Sequence, residues 1–587
     1  MILITTADKR LWDQDEKILF LGEWCLFYDY KFEWSKLNYI IMPYPFDDRQ
    51  KLYESYNYLK KLYNDLMPTV ARALNRIHKT NHTSKCWEIT VCYWFRTYIE
   101  VLYERYICLK YAFDNYPIKK TKVLSESSYI TPNDTYHFDI LYKGDFYNFQ
   151  LYSQIIRYLR LSDFYEVQIE GGEKDRFSTF NWASLKLMLK EAIKWISFIP
   201  SRWNRYFLIS SYFPLPLLLK ISLRLRIFPL LESPKLPIKF KEKLKEMGRN
   251  EFLKCSGIDE FGSLVVKTLP ENFPKIYLEN YADACYFSKK YFPKKVKIIV
   301  TANAFASNDN FKIWCAHKVE EDVPYLILQH GGNYGCARWN SSEDYETKVA
   351  DNYFTYGWTD KQKKNVIKFF ANRLHFVGNR KMKGLQSGYI LWVLASFPRY
   401  AYSMYSVPVG PQFLKYLEDQ GKFLKSLCPK ARRLIRCRPY MHEYGWEDLK
   451  RIKEYAGKFQ IANTRVSMWK QLKKCRMFVC TFNATALLEA FVANVPTVIY
   501  WDPSYWEIRH EARDYFNALH RLGILHYDAE SAANKVNLTF DYSINWWNQK
   551  NIQEVIDACC ERFARTTKDS TDEWVKAITS FSRKKII

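Results

Sequence analysis

The chain has 587 residues, and 48% of them are hydrophobic, so it can bury two or more full cores. Its 88 Lys and Arg residues outnumber its 63 Asp and Glu residues, and the net charge of +25 attracts polyanions, nucleotide phosphates or an anionic membrane surface. Aromatic residues make up 18% of the chain, which argues against long disordered segments and favours aromatic helix packing.

The first predicted elements are two short strands. Ile2 to Thr5 and Ile18 to Leu21 are apolar runs with polar residues soon after them. The N-terminal run is too short for the apolar core of a signal peptide. None of the 14 cysteines forms a Cys-x-x-Cys pair, so we expect small buried thiols and a reducing, cytoplasmic setting.

Three acidic residues near predicted strand ends or turns are candidate catalytic groups: Asp8, Glu23 and Asp48. In glycosyl transfer a carboxylate activates an acceptor hydroxyl or acts as a nucleophile at an oxocarbenium-like centre. A structural role is the alternative for Asp48 and its neighbour Asp47. Either acid can cap the long helix predicted to follow, and Gln50, three residues after Asp47, fits a capping box.

Residues 40 to 200 are predicted to form a helical insertion or cap on the first α/β unit. Apolar and aromatic residues recur at spacings of three and four from Leu52 to Val70, and a second aromatic face runs from Trp94 to Leu109. We expect the tyrosines on these faces to lie in the core.

The segment from Tyr206 to Leu219 is the candidate for contact with a membrane. It is too short to span a bilayer and is interrupted by Pro214 and Pro216. Basic residues such as Lys220 and Arg224 follow it, which favours peripheral attachment to anionic headgroups over transmembrane anchoring.

Two series of short strands alternate with helix-length segments, which predicts parallel sheets. The first series comprises Lys297 to Thr301, Tyr325 to Leu328, Tyr353 to Thr355 and His375 to Val377, and the second comprises Ile390 to Ala395, Arg433 to Cys437, Phe459 to Ile461, Met477 to Cys480 and Thr497 to Tyr500. We therefore predict an α/β fold with two Rossmann-like domains facing a cleft. Their predicted bounds are residues 1–385 and 386–587, the second domain being closed by C-terminal helices.

The motif Gln329-His330-Gly331-Gly332 lies at the carboxyl end of the predicted strand Tyr325 to Leu328. Ligands of open α/β sheets bind outside the carboxyl ends of strands, so His330 is a candidate catalytic residue. Gly331 and Gly332 let backbone N–H groups approach an anion closely, which makes them candidates for donor binding. The alternative is a tight turn with one hydrogen-bonded histidine.

In the second series, a strand leads into a helix through Thr481, Asn483 and Thr485. Their hydroxyl and amide groups, together with the free N–H groups of the helix, predict a phosphate site. Glu489 lies one turn further and is a candidate to accept ribose hydroxyls. The alternatives are a plain N-cap for Asn483 and a solvent-facing side chain for Glu489.

Arg436 and Arg438 alternate with apolar residues at the end of another predicted strand, so both project from one face. Their guanidinium groups can fork onto the phosphate or carboxylate oxygens of a donor. An ion pair with a buried acid is the competing interpretation.

Several sequence signatures are absent, which excludes classes of function. The chain has no P-loop, dinucleotide-binding glycine pattern, zinc-protease helix or nucleophile-elbow serine. Its 10 histidines show no metal-ligand spacing, and it has no zinc-finger, homeodomain or RNA-recognition signature. We therefore expect no bound metal, no cofactor and no nucleic-acid partner.

Several blocks of sequence together resemble a bacterial family of transferases associated with O-antigen and other surface-carbohydrate gene clusters. Among them are ILITTADKRLW from residue 2, LILQHGGNYG from residue 326, RCRPY from residue 436 and TFNATALLEAFVANVPTVIYW from residue 481. The resemblance covers nearly the whole chain. The family is similar in layout to transferases that move Kdo or other ulosonic acids from CMP-sugars and have a GT-B fold.

The resemblance implies an N-terminal acceptor-side domain and a C-terminal nucleotide-side domain, with His330 to Gly332 lining the cleft between them. Our hypothesis is a glycosyltransferase that moves a sugar from a nucleotide-sugar donor onto a glycan or lipid-linked acceptor. In its more specific form, the donor is a CMP-linked sugar. It would act in the cytoplasm, peripherally at the inner face of the cytoplasmic membrane. The alternatives are a glycerol- or ribitol-phosphate transferase and a basic nucleic-acid- or lipid-binding protein without catalysis.

Overall fold

The computed structural model describes residues 1–13, 15–169, 185–234, 236–241, 248–256, 258–374 and 387–582. In these ranges the chain forms three parallel β-sheets accompanied by helices. The predicted α/β class with parallel sheets is confirmed. The first of the two predicted domains, however, holds two separate sheets where one was expected.

The first sheet has five parallel strands in the spatial order 3-2-1-4-5. They are β1 (Ile2–Ile4), β2 (Ile18–Phe20), β3 (Tyr39–Ile41), β4 (Lys120–Leu124) and β5 (Asp163–Val167). This order is typical of a Rossmann-type sheet, in which ligands bind where the order reverses, here between β1 and β4. Because β4 and β5 lie within residues 40–200, the segment predicted as a helical insertion also completes this sheet.

Two long helices dominate the part of the chain that follows β3. The helices here are α1 (Lys31–Trp34), α2 (Arg49–His78), α3 (Ser84–Asn115), α4 (Thr135–Leu141), α5 (Asp145–Leu159) and α6 (Leu185–Ser201). Asp48 caps α2 by accepting hydrogen bonds from the N–H groups of Gln50 and Lys51. The aromatic faces of α2 and α3 are buried as predicted, with Trp94 and Tyr98 fully inaccessible to solvent.

The second sheet has five parallel strands that follow one another in chain order. They are β6 (Tyr206–Ile209), β7 (Ile298–Thr301), β8 (Tyr325–Leu328), β9 (Asn352–Thr355) and β10 (Val366–Lys368), and the helices are α7 (Leu215–Leu225), α8 (Glu260–Asn272), α9 (Tyr281–Tyr291), α10 (Ala304–Ser307), α11 (Asp309–Glu320) and α12 (Ser341–Val349). The predicted strand His375 to Val377 and the predicted boundary at residue 385 lie outside the described residues.

The third sheet has six parallel strands, again in Rossmann-type order, which reverses between its first and fourth strands. They are β11 (Tyr389–Val393), β12 (Ile435–Arg438), β13 (Gln460–Ile461), β14 (Cys475–Cys480), β15 (Thr497–Tyr500) and β16 (Leu525–His526). The helices are α13 (Gln412–Ser426), α14 (Pro429–Leu434), α15 (Asp448–Ala456), α16 (Met468–Leu472), α17 (Thr485–Val492), α18 (Arg513–Arg521), α19 (Ala529–Thr539), α20 (Ser543–Trp547), α21 (Lys550–Phe563) and α22 (Ser570–Phe581).

The first sheet is attached to the third through the carboxylate of Asp145. It accepts hydrogen bonds from the N–H of Ala7, just after β1 (3.1 Å), and from the hydroxyl of Tyr400 (2.5 Å), and it pairs with Arg399 (2.7 Å). Arg399 and Tyr400 come soon after β11, so this buried network joins the carboxyl ends of two sheets.

The last helix, α22, returns to the second sheet. Trp574 packs against Phe213, Phe354 and Phe369, with ring centroids 4.9, 5.8 and 4.6 Å away. The predicted unit 386–587 therefore contributes its final helix to the other unit.

None of the helices that the structure describes combines the length and hydropathy needed to cross a bilayer. All 14 cysteines lie in the described ranges, and 11 of them are buried.

Asp448, at the start of α15, predicts a pH dependence of stability. Burial raises the pKa of its carboxyl to about 7, although the hydroxyl of Ser396 donates to it (2.7 Å). The folded pKa exceeds the unfolded value of about 4, so stability is lost as the pH rises from about 4 to about 7. We expect Asp448→Asn to raise the Tm more at pH 8 than at pH 5, as measured by thermal unfolding.

The exposed Asp514 provides the control, since Asp514→Asn should give the same small change at both pH values. A Tm difference for Asp448→Asn that does not grow with pH would contradict the assignment.

Candidate functional site

The loop after β8 is fixed by the buried side chain of Gln329. Its Nε2 donates to the carbonyl of Gly331 (2.7 Å), and its Oε1 accepts from the backbone N–H of Tyr356 and the indole N–H of Trp358, both at 2.8 Å. The turn that carries His330 is therefore tied to the end of the neighbouring strand β9.

The imidazole of His330 lies beside a buried carboxylate. Its Nδ1 is 3.6 Å from Oε1 of Glu346, and its Nε2 is 3.5 Å from the hydroxyl of Tyr334. Glu346 is fully buried and accepts hydrogen bonds from the hydroxyls of Tyr334 (2.7 Å) and Tyr353 (3.0 Å). A carboxylate near one ring nitrogen favours a proton there and leaves the other nitrogen free to accept one. With 26% of its side chain exposed, His330 is also open to a ligand.

Tyr212, just after β6, has an unusual backbone conformation beside His330. Its φ is 60° and that of Ser210 is 46°, in the left-handed region that bulky residues rarely adopt. Its hydroxyl accepts from Nδ2 of Asn303 (2.5 Å), and its ring lies edge-on to His330 with centroids 6.2 Å apart. Strain of this kind is common at functional sites. No local signal in the sequence marks Tyr212 or Asn303, since the left-handed turn contains no glycine.

On the third sheet, the N-terminus of α17 lies where the strand order reverses. Its N-cap residue is Ala484, which has no capping side chain, and among the described residues no other side chain accepts a hydrogen bond from the first N–H groups of the helix. Asn483 is not the N-cap, and its Nδ2 instead donates to Sγ of Cys336 (3.1 Å). The predicted helix N-terminus is therefore present, with uncapped donors.

The loop after β8 and the N-terminus of α17 contact each other. A Cβ atom on Gly332 would lie 2.2 Å from both the carbonyl carbon of Ala484 and the nitrogen of Thr485, which no side chain could tolerate. Close by, Glu343 and Arg509 form a buried ion pair at 2.8 Å between the two parts of the chain. The two motifs singled out in the sequence thus meet at one place.

A cluster of charges lies one turn along α17. Oε1 of Glu489 is 3.6 Å from Nε of Arg373. Burial raises the pKa of Glu489, while the charges of Arg373 and Arg438 lower it. Arg438, at the end of β12, donates to the carbonyl of Val466 (2.9 Å) and to Oε1 of Gln471 (2.8 Å). Arg373 belongs to no sequence motif, and only the fold brings it here.

Two predicted donor-binding residues are used within the fold. The hydroxyl of Thr481 donates to the carbonyl of Val393 (2.9 Å) and is hydrogen-bonded to the hydroxyl of Tyr416 (2.6 Å). The guanidinium of Arg436 folds back onto the carbonyls of Arg433 (3.2 Å) and its neighbour Ile435 (2.9 Å). Neither side chain joins the cluster around Glu489 and Arg438.

The three predicted catalytic carboxylates follow strands β1, β2 and β3 of the first sheet, whereas His330 and α17 belong to the second and third sheets. Asp8 caps a short 3-10 turn and pairs with Arg10 (2.5 Å), and Asp48 caps α2. Glu23 follows β2; burial raises its pKa, and its Oε2 has no hydrogen-bond partner among the described residues. Within those residues, no hydrogen bond or ion pair links any of the three to His330. Capping therefore accounts for Asp8 and Asp48, whereas Glu23 stays a candidate.

One group of metal-binding side chains, which sequence spacing did not reveal, occurs among the described residues. The ligand atoms of His82, Cys86 and His317 lie within 4.8 Å of one another. The two imidazoles stack with centroids 4.9 Å apart, and each already bonds a neighbour, Glu320 (2.7 Å) or Tyr281 (3.2 Å). Stacked rings do not converge on a tetrahedral centre, so we assign no metal to this group.

Comparison with known families gives one match to the sequence. The model of a family described as LIC12162 family transferase matches residues 1–578. A comparison with curated proteins gives no match.

Among solved structures, the chain is similar to a trehalose-6-phosphate synthase (10% identity, 64% of this chain and 99% of that one, TM-score 0.35). It is also similar to an O-GlcNAc transferase variant of Thermobaculum terrenum (10%, 88% and 98%, TM-score 0.31) and to MurG of Acinetobacter baumannii (15%, 52% and 78%, TM-score 0.29). Structural similarities with TM-scores this low do not indicate the function of this chain.

Gly332→Ala tests the contact between the loop and the helix. The added Cβ has backbone on its far side, which cannot move aside cheaply, so we expect a destabilisation of about 1–3 kcal/mol and a lower Tm. Gly248→Ala is the control, because among the described residues its Cβ would meet only Cγ2 of Ile77, at an ordinary 3.8 Å. Equal Tm values for the two variants would mean that the loop and the helix are not in contact in solution.

Proposed function

The chain belongs to the LIC12162 transferase family, and from that premise we propose that it is a glycosyltransferase that moves a sugar from a nucleotide-linked donor onto a bacterial surface glycan. The observation that carries the proposal is the contact of Gly332 with the uncapped N-terminus of α17, next to His330. We further propose that residues 1–385 bind the acceptor and residues 386–587 the nucleotide, across a cleft of GT-B type.

The donor phosphate is proposed to bind at the start of α17. The N–H groups of Thr485 and the residue after it carry the positive end of the helix dipole, and the hydroxyl of Thr485 adds a donor. Arg438 supplies a full positive charge nearby: burial raises the pKa of Glu489, and the charges of Arg373 and Arg438 oppose that rise. Glu489 would accept the ribose hydroxyls. These groups stabilise the charge that develops on the leaving phosphate.

His330 is proposed to act as the general base. Glu346 favours a proton on Nδ1, so Nε2 is left to take the proton of the acceptor hydroxyl. The acceptor oxygen then bonds to the anomeric carbon, while the bond from that carbon to the phosphate oxygen breaks and the nucleotide leaves with the electron pair. Tyr212 and Asn303 would shape the pocket for the reacting sugar.

The family resemblance favours a CMP-linked ulosonic acid as the donor. A glycerol- or ribitol-phosphate transferase is the second candidate, because a histidine base beside a phosphate site also serves attack at phosphorus. The Tm of the purified protein and the consumption of the donor should be measured with CMP-, UDP-, GDP- and CDP-linked donors. Only a productive donor should raise the Tm and be hydrolysed or consumed. A basic protein without catalysis would bind none of them and would retain DNA in a salt-dependent way.

Arg438 and Arg436 form a matched pair for testing the donor site. Both project from one strand, but Arg436 bonds the carbonyl of Arg433 on its own segment. We expect Arg438→Met to weaken donor binding about 10- to 100-fold, the worth of a lost charged hydrogen bond, and Arg436→Met to leave it unchanged. Calorimetric titration of the productive donor measures both. Equal losses in the two variants would remove Arg438 from the site.

His330→Ala separates binding from catalysis. Loss of a general base should lower kcat about 10²- to 10⁴-fold and leave the donor affinity nearly unchanged. A variant with full turnover would show that His330 is not the base.

We also propose that the protein attaches peripherally to an anionic membrane through α7. Leu215, Leu219 and Leu223 recur every four residues and are 52%, 47% and 80% exposed. Lys220 and Arg224 are exposed beside them. A helix with exposed leucines beside exposed basic residues is suited to lie in the headgroup region of a membrane. Each basic residue near an anionic surface adds about 1 kcal/mol to the binding free energy.

Vesicle sedimentation tests this attachment. The wild-type protein should sediment with phosphatidylglycerol vesicles and much less with phosphatidylcholine vesicles. The double variant Leu219→Asp/Leu223→Asp should lose about 10-fold or more of this binding, because two apolar anchors become anionic. Leu538→Asp, at an equally exposed leucine of α19 (67%), should keep it. If the double variant sediments like the wild type, another surface makes the contact.

A further inference from the structure

A cavity of about 280 Å³ lies between α2, α3 and α12, on the other side of α12 from His330. Its volume is near the lower limit of pockets that hold small ligands. Much of the wall is apolar. The apolar and aromatic residues that line it are Tyr56, Leu59, Tyr63, Cys92, Ile99, Tyr345 and Met404.

Four basic and two acidic side chains also line the cavity, and most of them are paired. Asp344 lies 3.0 Å from Nζ of Lys60 and 3.6 Å from Nζ of Lys363. Lys348 pairs with Glu88 at 2.5 Å. These lysines are partly exposed, so the mouth of the cavity is basic and wet.

Arg96 differs from the other charged residues of the wall. Its side chain is only 12% exposed, and its Nε and Nη1 atoms are buried with no hydrogen-bond acceptor among the described residues. Nη2 of Arg96 donates a long hydrogen bond to the hydroxyl of Ser342 (3.5 Å), and Oε1 of Glu100 lies at ion-pair distance, 3.8 Å from Nη1. Glu100 accepts the N–H of Met404 (3.0 Å) and forms no hydrogen bond with Nε or Nη1. Burying charged donors without acceptors costs free energy. An anion from outside the chain that accepts hydrogen bonds from Nε and Nη1 would offset this cost.

We propose that this cavity binds a molecule with an apolar body and a single acidic group, a carboxylate or a phosphate monoester. The acidic oxygens would accept hydrogen bonds from Arg96, and the apolar body would lie along Leu59 and Ile99. A small inorganic anion would leave the apolar wall empty, and an uncharged apolar molecule would leave Nε and Nη1 of Arg96 without an acceptor. This site is additional to the one proposed for sugar transfer.

Octanoate, octyl phosphate and octanol are the probes, used as monomers in calorimetric titrations of the full-length protein. We expect one or both acids to bind and octanol to bind at least 10-fold more weakly. Arg96→Met, which keeps the apolar bulk, should weaken the binding of the acids at least 10-fold. Arg521→Met, at an exposed arginine of α18, should change nothing. Binding of octanoate alone or of octyl phosphate alone supports the site and identifies its acidic group.

Leu59→Trp provides a second test that leaves Arg96 in place. The indole should fill the cavity and exclude the same acids, and circular dichroism checks that each variant is folded. The proposal fails if neither acid binds the wild type, if octanol binds as well as the acids, or if Leu59→Trp binds the acids as the wild type does. Inorganic phosphate alone should not bind measurably, and tight binding of it would also contradict the proposal.

Discussion

The backbone contact between Gly332 and the start of α17 is the constraint on which the site depends. It brings the carboxyl ends of β8 and β14 together, and only a residue without a side chain permits it. The buried pair of Glu343 and Arg509 holds the same junction, and Glu343 also accepts the N–H of Gly335 (2.8 Å). This pair therefore ties the loop after β8 to the segment that follows β15.

The polar groups at the junctions between sheets are of two kinds: those whose hydrogen bonds are all made within the fold and those that leave an atom without a hydrogen bond among the described residues. Asp145 is bonded to Ala7, Arg399 and Tyr400, so its role is to join two sheets. His330, by contrast, has a carboxylate beside it at ion-pair distance, and its Nδ1 makes no hydrogen bond among the described residues. A group that is buried on one side and open on the other can exchange a proton with a ligand without unfolding its surroundings.

Local patterns in the sequence predicted most strands of the second and third sheets, because short aliphatic runs such as β8 are buried on both faces. They did not predict the short strands β10 and β16, or β4, whose sequence Lys120–Leu124 contains two lysines and only two apolar residues. The residues of the candidate site also divide into those with a local sequence signal and those without one. Gly332 and the helix after Asn483 were found because glycine and strand-to-helix turns have local signals. Tyr212 and Arg373 were missed because their partners are distant in sequence, and nothing local to Thr481 indicates that its hydroxyl bonds Val393 and Tyr416.

Helix α12 connects the two sites through its opposite faces. Glu346 faces His330, whereas Asp344 and Tyr345 line the cavity. The ring of Tyr345 also packs against Phe305 (5.5 Å between centroids), and Phe305 packs against His330 (6.1 Å). Close-packed side chains transmit displacements, because the interior has little free volume. Tyr345 therefore belongs both to the wall of the cavity and to the packing beside the histidine, so the two proposed sites share one structural element although their chemistry differs.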